Sequence, residues 1–251
     1  MIEYKTVLIA AFIGIIPALF GSWWFLKSNK KRKGLGVRLL LLTFFWGVLT
    51  AIPASIFQII NIEGDGGNYF VAIFQRIKLF QSSYFMTQTI APLLFVAIIE
   101  ELSKGVGVIL SLRLFSKSKR ASLLKINPGI VAGVIVGLAF GVTENGVYFA
   151  NNFSNQMGDN NIAQIIILRF VLSTSAHIIY TGLFGAFLVE SIVAKKIISK
   201  ISKVILALLI PVGIHTGFNV LVSGEYGVLS VPLIVFGIGI LSFKALWNNN
   251  L

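Results

Sequence analysis

Apolar segments of about 20 residues recur along nearly the whole chain and are separated by short polar stretches. An α-helix of that length crosses the hydrocarbon core of a lipid bilayer. The pattern therefore predicts an all-α fold, a polytopic membrane protein with about seven transmembrane helices. The predicted spans are 6–26, 37–60, 88–112, 128–150, 162–194, 203–222 and 227–247.

Residues 69–87 fit none of these spans, because Arg76 and Lys78 interrupt their aromatic and aliphatic side chains. Such a mixture is typical of an amphipathic helix that lies in the membrane interface. A lid over a lateral entrance for a substrate is the functional alternative. The chain contains no internal repeat and no linker, so residues 1–251 are predicted to form a single transmembrane domain.

Basic residues are concentrated in three short segments that fall on one side of a seven-span arrangement. They are Lys27, Lys30, Lys31, Arg32, Lys33 and Arg38 in the first segment, Arg113, Lys117, Lys119, Arg120 and Lys125 in the second, and Lys195, Lys196, Lys200 and Lys203 in the third. Cytoplasmic loops are enriched in lysine and arginine, so this side is predicted to be cytoplasmic. The N-terminus is then outside and the C-terminus cytoplasmic. Arg169, on the outer side, is interpreted as an interfacial anchor.

Composition agrees with a membrane protein and narrows the possible partners. Hydrophobic residues make up 56% of the chain and charged residues 12%, whereas about a quarter of the residues in a soluble domain are charged. The formal net charge of +12 resides in the short polar segments. It therefore indicates membrane topology and a lipid bilayer as partner, with no nucleic acid. The absence of cysteine excludes a thiol nucleophile and a thiolate metal site.

Five residues of catalytic type lie inside predicted spans, where charge is costly. They are Glu100, Glu101, Glu144, His177 and His215. A charged group at the centre of a bilayer costs on the order of 3 kcal/mol. We therefore expect these residues to face one another or a water-filled cavity.

Helical spacing gives these residues polar companions. Lys104 follows Glu100 by four positions and Glu101 by three, so it can neutralise either carboxylate. The residues one turn after Glu144, His177 and His215 are Tyr148, Thr181 and Asn219.

Glycines recur every four residues in the span that carries Glu144, at positions 133, 137 and 141. Small residues at this spacing allow the backbones of two membrane helices to approach closely. The stripe predicts tight packing against a neighbouring helix.

Four polar motifs follow one another along the chain. They are EELSK at 100–104, FGVTENGVY at 140–148, HIIYTGLFG at 177–185 and HTGFN at 215–219. Together they resemble the PrsW family of intramembrane proteases, part of the CAAX-protease and bacteriocin-processing superfamily. The resemblance covers about residues 90–220 and implies a catalytic-type helical core at about 88–222.

The resemblance also implies an activity and a set of site residues. The activity is cleavage of a single-span, membrane-anchored protein such as an anti-sigma factor in a bacterial plasma membrane. The depth of the glutamates and histidines within their predicted spans separately places the site in the middle and outer half of the membrane. The implied catalytic residues are Glu100, Glu101, Glu144, His177 and His215. The supporting residues are Lys104, Asn145 and Tyr148, which belong to the resembling motifs, and Thr181 and Asn219, which follow the two histidines by one helical turn.

Two mechanisms are compatible with these residues. In a glutamate-type mechanism, Glu100 or Glu101 activates water, and a histidine or Asn219 stabilises the developing oxyanion. In a metal-dependent mechanism, two histidines and a glutamate bind zinc and leave an open position for water. The metal ligands would then be His177, His215 and Glu144.

Other functions are weighed against proteolysis. A proton-coupled transporter also carries intramembrane ionisable groups, but it often shows two related halves, which are not evident here. A non-catalytic scaffold or sensor that binds single-span proteins would use the same groups to hold helices together. An aspartyl dyad is excluded within the spans, because the two aspartates, Asp65 and Asp159, fall in outer loops. A serine–histidine dyad would leave the glutamates unexplained.

Overall fold

The computed structural model describes residues 37–58, 76, 85–117, 127–153, 168–223 and 237. Five α-helices account for almost all of this part of the chain. They are α1 (Val37–Gln58), α2 (Ala91–Ser116), α3 (Pro128–Phe153), α4 (Thr174–Val193) and α5 (Ile197–Ser223). A π-helical turn leads into α2 at Met86–Ile90 and another into α4 at Leu168–Ser173. The described residues contain no strand, so the predicted all-α class is confirmed for them.

Four of these helices are long and apolar enough to cross a membrane. The candidate spans are Val37–Phe57, Pro128–Tyr148, Thr174–Val193 and Ile197–Leu221. The remaining helix, α2, has a similar length, but Glu100, Glu101 and Lys104 interrupt its apolar sequence. The predicted spans 6–26 and 227–247 lie outside the described residues, apart from position 237. The predicted interfacial segment 69–87 also lies outside the described residues, except for positions 76 and 85–87.

The turn between α4 and α5 is shorter than the sequence suggests. The predicted span at 203–222 begins too late, because α5 starts at Ile197 and the connection is residues 194–196. Lys203 therefore belongs to the first turns of α5. Its Nζ lies 2.7 Å from Glu190 Oε2 near the end of α4, so an ion pair closes the hairpin.

Helices α3 and α4 form the most extensive interface among the described elements. The glycine stripe of α3 makes it, because a methyl group at Gly133 would meet the backbone carbonyl of Thr181, and one at Gly137 that of His177. Gly129 extends the stripe by one turn, against Gly185. The predicted packing face is confirmed, and it fixes the height of His177 against α3.

Helix α2 contacts each of the other four helices. Its glycines allow this, because Gly105 lies against the ring of Phe184 on α4, and Gly107 lies against Val136 on α3 and Thr50 on α1. Glu100, Glu101 and Lys104 of α2 are consequently enclosed by protein.

Candidate functional site

The first part of the site is the buried carboxylate pair of α2. Lys104 Nζ donates to Glu100 Oε2 at 3.1 Å and to Glu101 Oε1 at 2.8 Å. Glu101 and Lys104 are fully buried and Glu100 is 2% exposed. The predicted pairing is confirmed, and the lysine holds both carboxylates at once. Its Nζ also lies 4.4 Å from the centre of the Phe140 ring on α3, which is a cation–π contact.

His215 brings α5 to this pair. Its Nδ1 lies 2.9 Å from Glu101 Oε1, and its Nε2 lies 3.7 Å from Glu100 Oε2. Tyr180 of α4 stacks on the imidazole with ring centres 5.2 Å apart and an interplanar angle of 27°. The ring is thus held on one edge by a carboxylate and on one face by an aromatic side chain.

Glu144 and His177 form the second part of the site, across the α3–α4 interface. Glu144 Oε2 lies 2.7 Å from His177 Nε2. The two atoms are close, but their angles do not make a hydrogen bond, and Glu144 Oε2 has no hydrogen-bond partner among the described residues. His177 Nδ1 is also buried without a hydrogen-bond partner in that part of the chain. Arg169 Nη1 donates to the other oxygen, Glu144 Oε1, at 3.0 Å.

The two parts meet around Glu100. Its Oε2 is 4.0 Å from His177 Nδ1, and the rings of His177 and His215 are perpendicular, with centres 5.5 Å apart. All five predicted catalytic residues therefore lie in one connected cluster, drawn from α2, α3, α4 and α5. Burying each charged group is costly, and its contact with another polar group of the cluster offsets that cost.

Three of these residues could hold a metal ion. Glu100, Glu144 and His177 each offer a ligand atom, and these atoms lie within 4.8 Å of one another. Two carboxylates and an imidazole suit zinc. Glu144 Oε2 is buried and makes no hydrogen bond within the described chain, so it has a lone pair that a cation could use. The predicted set was His177, His215 and Glu144. In the structure Glu100 converges with Glu144 and His177, while His215 contacts Glu101 through Nδ1.

The net charge of the cluster also suits a cation. Among the described side chains that meet there, three carboxylates face two cations, so one negative charge is left over when the histidines are neutral. A bound divalent ion would compensate it in a region that water does not screen.

The predicted supporting residues occupy different places around the cluster. Thr181 donates to the backbone carbonyl of His177 at 2.8 Å, not to its ring. Asn145 donates to Thr174 Oγ1 at 2.9 Å and to the backbone carbonyl of Arg169 at 3.1 Å. Tyr148 lies under the Arg169 guanidinium, 3.7 Å from the ring centre. Asn219 lies one turn after His215 on α5 and is half-buried.

Sequence reasoning missed two residues of the site. Arg169 was interpreted as an interfacial anchor, and in the structure it is the ion-pair partner of Glu144. Tyr180, the residue stacked on His215, lies within the HIIYTGLFG motif but was given no role. No spacing rule links Arg169 to Glu144, because 25 residues separate them. An arginine beside an apolar segment is the one signal that was available.

The fold and the cluster define a helical membrane protein with carboxylates and imidazoles gathered in its interior, the class to which intramembrane hydrolases belong. The model of one family, described as the PrsW family intramembrane metalloproteases, matches residues 36–244. The chain therefore belongs to this family, and the resemblance carried by the four motifs is confirmed. No curated protein and no solved structure matches the chain.

Proposed function

We propose that the protein is an intramembrane endopeptidase that hydrolyses a peptide bond of a membrane-anchored protein with water activated in the Glu/His cluster. The observation that carries this proposal is the meeting of Glu100, Glu144, His177 and His215 from four helices in a buried site. Hydrolysis inside a membrane requires such an enclosed polar site, because lipid supplies neither water nor a proton acceptor.

In the glutamate-type mechanism, we assign the general base to Glu100, whereas in the metal-dependent mechanism the same carboxylate would be a metal ligand. Glu101 Oε1 already contacts both Lys104 and His215, which suits a positioning role. Glu100 Oε2 lies within 4.0 Å of both imidazoles, so a water bound there would touch a proton acceptor and two possible proton donors. Lys104 would be the cationic partner of both carboxylates, and His215 or Asn219 would stabilise the oxyanion.

The family is described as metalloproteases, and we propose zinc as the metal. Glu100, Glu144 and His177 would hold it, with His215 beside them. A zinc ion would supply Lewis acidity toward the scissile carbonyl. Glu101 would keep its contact with His215 Nδ1 and thereby turn Nε2 toward the site, as second carboxylates do beside metal-binding histidines.

We further propose the complete topology and the location of the cut. Seven spans would place the N-terminus outside and the C-terminus in the cytoplasm of a bacterial cell, in its plasma membrane. Helix α3 begins after the second basic segment, and Glu144 lies 16 residues further on, about 24 Å along the helix. A site at that depth would open toward the outer side and cut a single-span, anti-sigma-factor-like substrate there.

Protein N-termini newly formed in membranes test the proposal. Membranes would be compared after expression of the wild type, Glu100→Gln, His215→Ala or Glu190→Gln. The last is a matched control, because Glu190 pairs with Lys203 in the α4–α5 hairpin. We expect a fragment of a single-span protein, cut near the outer surface, with the wild type and Glu190→Gln only.

A zinc chelator added to the active membranes separates the two mechanisms. Loss of the cut on chelation and its return with added zinc support the metal-dependent form, whereas an unaffected cut supports glutamate catalysis. Identical N-termini in all four membranes, with all four proteins folded, would contradict the protease proposal. The cluster would then be tested as a helix-binding scaffold or an ion path.

A further inference from the structure

We propose that Arg169 is a positioning residue for Glu144, and that it fixes which carboxylate oxygen faces His177. The two oxygens of Glu144 have different partners. Oε1 accepts from Arg169 Nη1 at 3.0 Å, and Oε2 lies 2.7 Å from His177 Nε2. With Oε1 occupied, the carboxylate cannot rotate to exchange its oxygens without losing a charge-assisted hydrogen bond.

Arg169 is itself fixed by two residues that follow Glu144 on α3, Asn145 and Tyr148. Its guanidinium stacks on Tyr148, 3.7 Å from the ring centre. Its backbone carbonyl accepts from Asn145 Nδ2 at 3.1 Å. The arginine is therefore attached to α3 at three points over one helical turn, and both its position and its orientation are set.

The local backbone explains how an arginine reaches this place. Arg169 belongs to the π-helical turn Leu168–Ser173 that leads into α4. A π-helical turn displaces side chains from the positions they would hold in an α-helix, and such turns are frequent at functional sites. The Arg169 and Glu144 side chains are 27% and 17% exposed, so the pair lies at the edge of the cluster while the other carboxylates are buried.

A lysine is not an equivalent replacement at this position. The planar guanidinium can stack on Tyr148 and donate to Glu144 at the same time, whereas an ammonium group is a point charge without a flat face. Arg169→Lys should keep the charge opposite Glu144 and lose its orientation. Arg169→Gln should lose both.

This inference deepens the proposed function, and only its kinetic test rests on that function. Removal of a partner that orients a site carboxylate typically costs 10- to 100-fold in activity or metal affinity. We expect Arg169→Gln to lower kcat for a cleavage reporter by about that factor with KM nearly unchanged. Arg169→Lys should fall between Arg169→Gln and the wild type.

A second background separates positioning from a general loss of structure. If Arg169 acts through Glu144, Arg169→Gln should cause no further loss of activity in a Glu144→Gln protein. An equal loss in both backgrounds would overturn the inference. So would an Arg169→Gln protein with the kcat of the wild type.

A spectroscopic test does not depend on cleavage. The chain has two histidines, so histidine labelled with nitrogen-15 gives the signals of His177 and His215 alone, provided that the purification tag contains no histidine. We expect Arg169→Gln to shift the ring nitrogen signals of His177, which contacts Glu144, and to leave those of His215, which contacts Glu101. Lys203→Gln, which breaks a comparably exposed ion pair with Glu190, should shift neither.

Unchanged His177 signals in Arg169→Gln would overturn the inference. If that variant does not fold, Arg169→Lys is measured instead, with a smaller shift of His177 expected and an unchanged spectrum as the contrary result. A wild type that cleaves nothing would contradict the proposed function, and the histidine spectra would still decide the role of Arg169.

Discussion

Lys104 is the residue on which the buried carboxylate pair depends. It is fully buried, and its ammonium group contacts both Glu100 and Glu101. Without Lys104, two adjacent carboxylates of like charge would be enclosed by the surrounding helices with no cation between them. Removal of one partner from a buried ion pair is costly because the remaining charge stays desolvated.

Lys104→Met is therefore expected to lower the free energy of unfolding by roughly 3–5 kcal/mol. Lys203→Met is the control, since its ion pair with Glu190 is partly exposed and such pairs contribute about 0–1 kcal/mol. Thermal unfolding of the purified proteins in one detergent measures both. Adding Glu101→Gln to Lys104→Met should recover part of the loss, and equal stability of the two single variants would contradict this account.

His215 offers a way to separate structure from chemistry at one residue. Its Nδ1 holds Glu101 while its Nε2 points toward Glu100. An asparagine amide can take the place of Nδ1 but has nothing at the position of Nε2.

His215→Asn should keep most of the stability and lose cleavage by at least about 100-fold, the usual contribution of an acid–base group. His215→Ala should lose cleavage and also about 1–3 kcal/mol of stability, because Glu101 is left without this contact. Reporter cleavage and thermal unfolding give the two readouts. Full activity in His215→Asn would show that Nε2 takes no part.

For single residues, contacts within one helix could be predicted from the sequence, whereas contacts between helices could not. Lys104 reaches both glutamates because i,i+3 and i,i+4 neighbours share a helix face. The contact of His215 with Glu101 spans 114 residues and depends on how α2 and α5 are rotated toward each other. Arg169 depends on a π-helical turn, which no spacing in the sequence announces.

The α3–α4 pair is the element that sets the geometry of the site. The glycine stripe brings the two backbones together, and Gly137 faces the carbonyl of His177. Glu144, seven residues after Gly137, is then level with the imidazole of the opposite helix. The four-residue spacing predicted a packing face, but the sequence could not identify α4 as the partner, since several helices offer small residues.

Gly137→Ala should destabilise the protein by about 1–3 kcal/mol, the usual cost of overpacking a tight interface. It should also lower cleavage, because α4 must move away from α3. Gly146→Ala on the same helix is the control. A methyl group there meets nothing within 4 Å among the described atoms, and alanine is favoured over glycine in a helix by about 1 kcal/mol. Thermal unfolding should therefore move in opposite directions in the two variants, and a shared direction would contradict the packing argument.

At the scale of the whole molecule, α2 contacts each of the other four described helices. The apolar spans and the basic segments predicted a helical membrane protein. Bilayer thickness sets the length of any spanning helix, and lysine and arginine are enriched in the cytoplasmic loops of membrane proteins in general. The central place of α2 was not predictable from hydropathy. Its charges make it the least apolar of the five helices, and only tertiary contacts explain why it is enclosed.

The proposed orientation can be tested because the chain has no cysteine. Single cysteines would be introduced by Lys196→Cys, in the α4–α5 turn, and Asn155→Cys, between α3 and α4 in sequence. A membrane-impermeant maleimide applied to intact cells should label the protein at position 155 only. Labelling at position 196 should require opened membranes, and the reverse pattern would invert the proposed topology.

The charges of α2 have a consequence for how the protein is made. A nascent α2 that leaves the translocon alone would carry Glu100, Glu101 and Lys104 into lipid at about 3 kcal/mol each, before His215 has been synthesised. We expect α2 to stay beside the translocon until α5 emerges. Helix α2 would then enter the lipid only after it has packed against the other helices, and not as soon as it is synthesised. Site-specific crosslinking of stalled chains checks this. Chains that end before α5 should crosslink α2 to the translocon, and full-length chains should not.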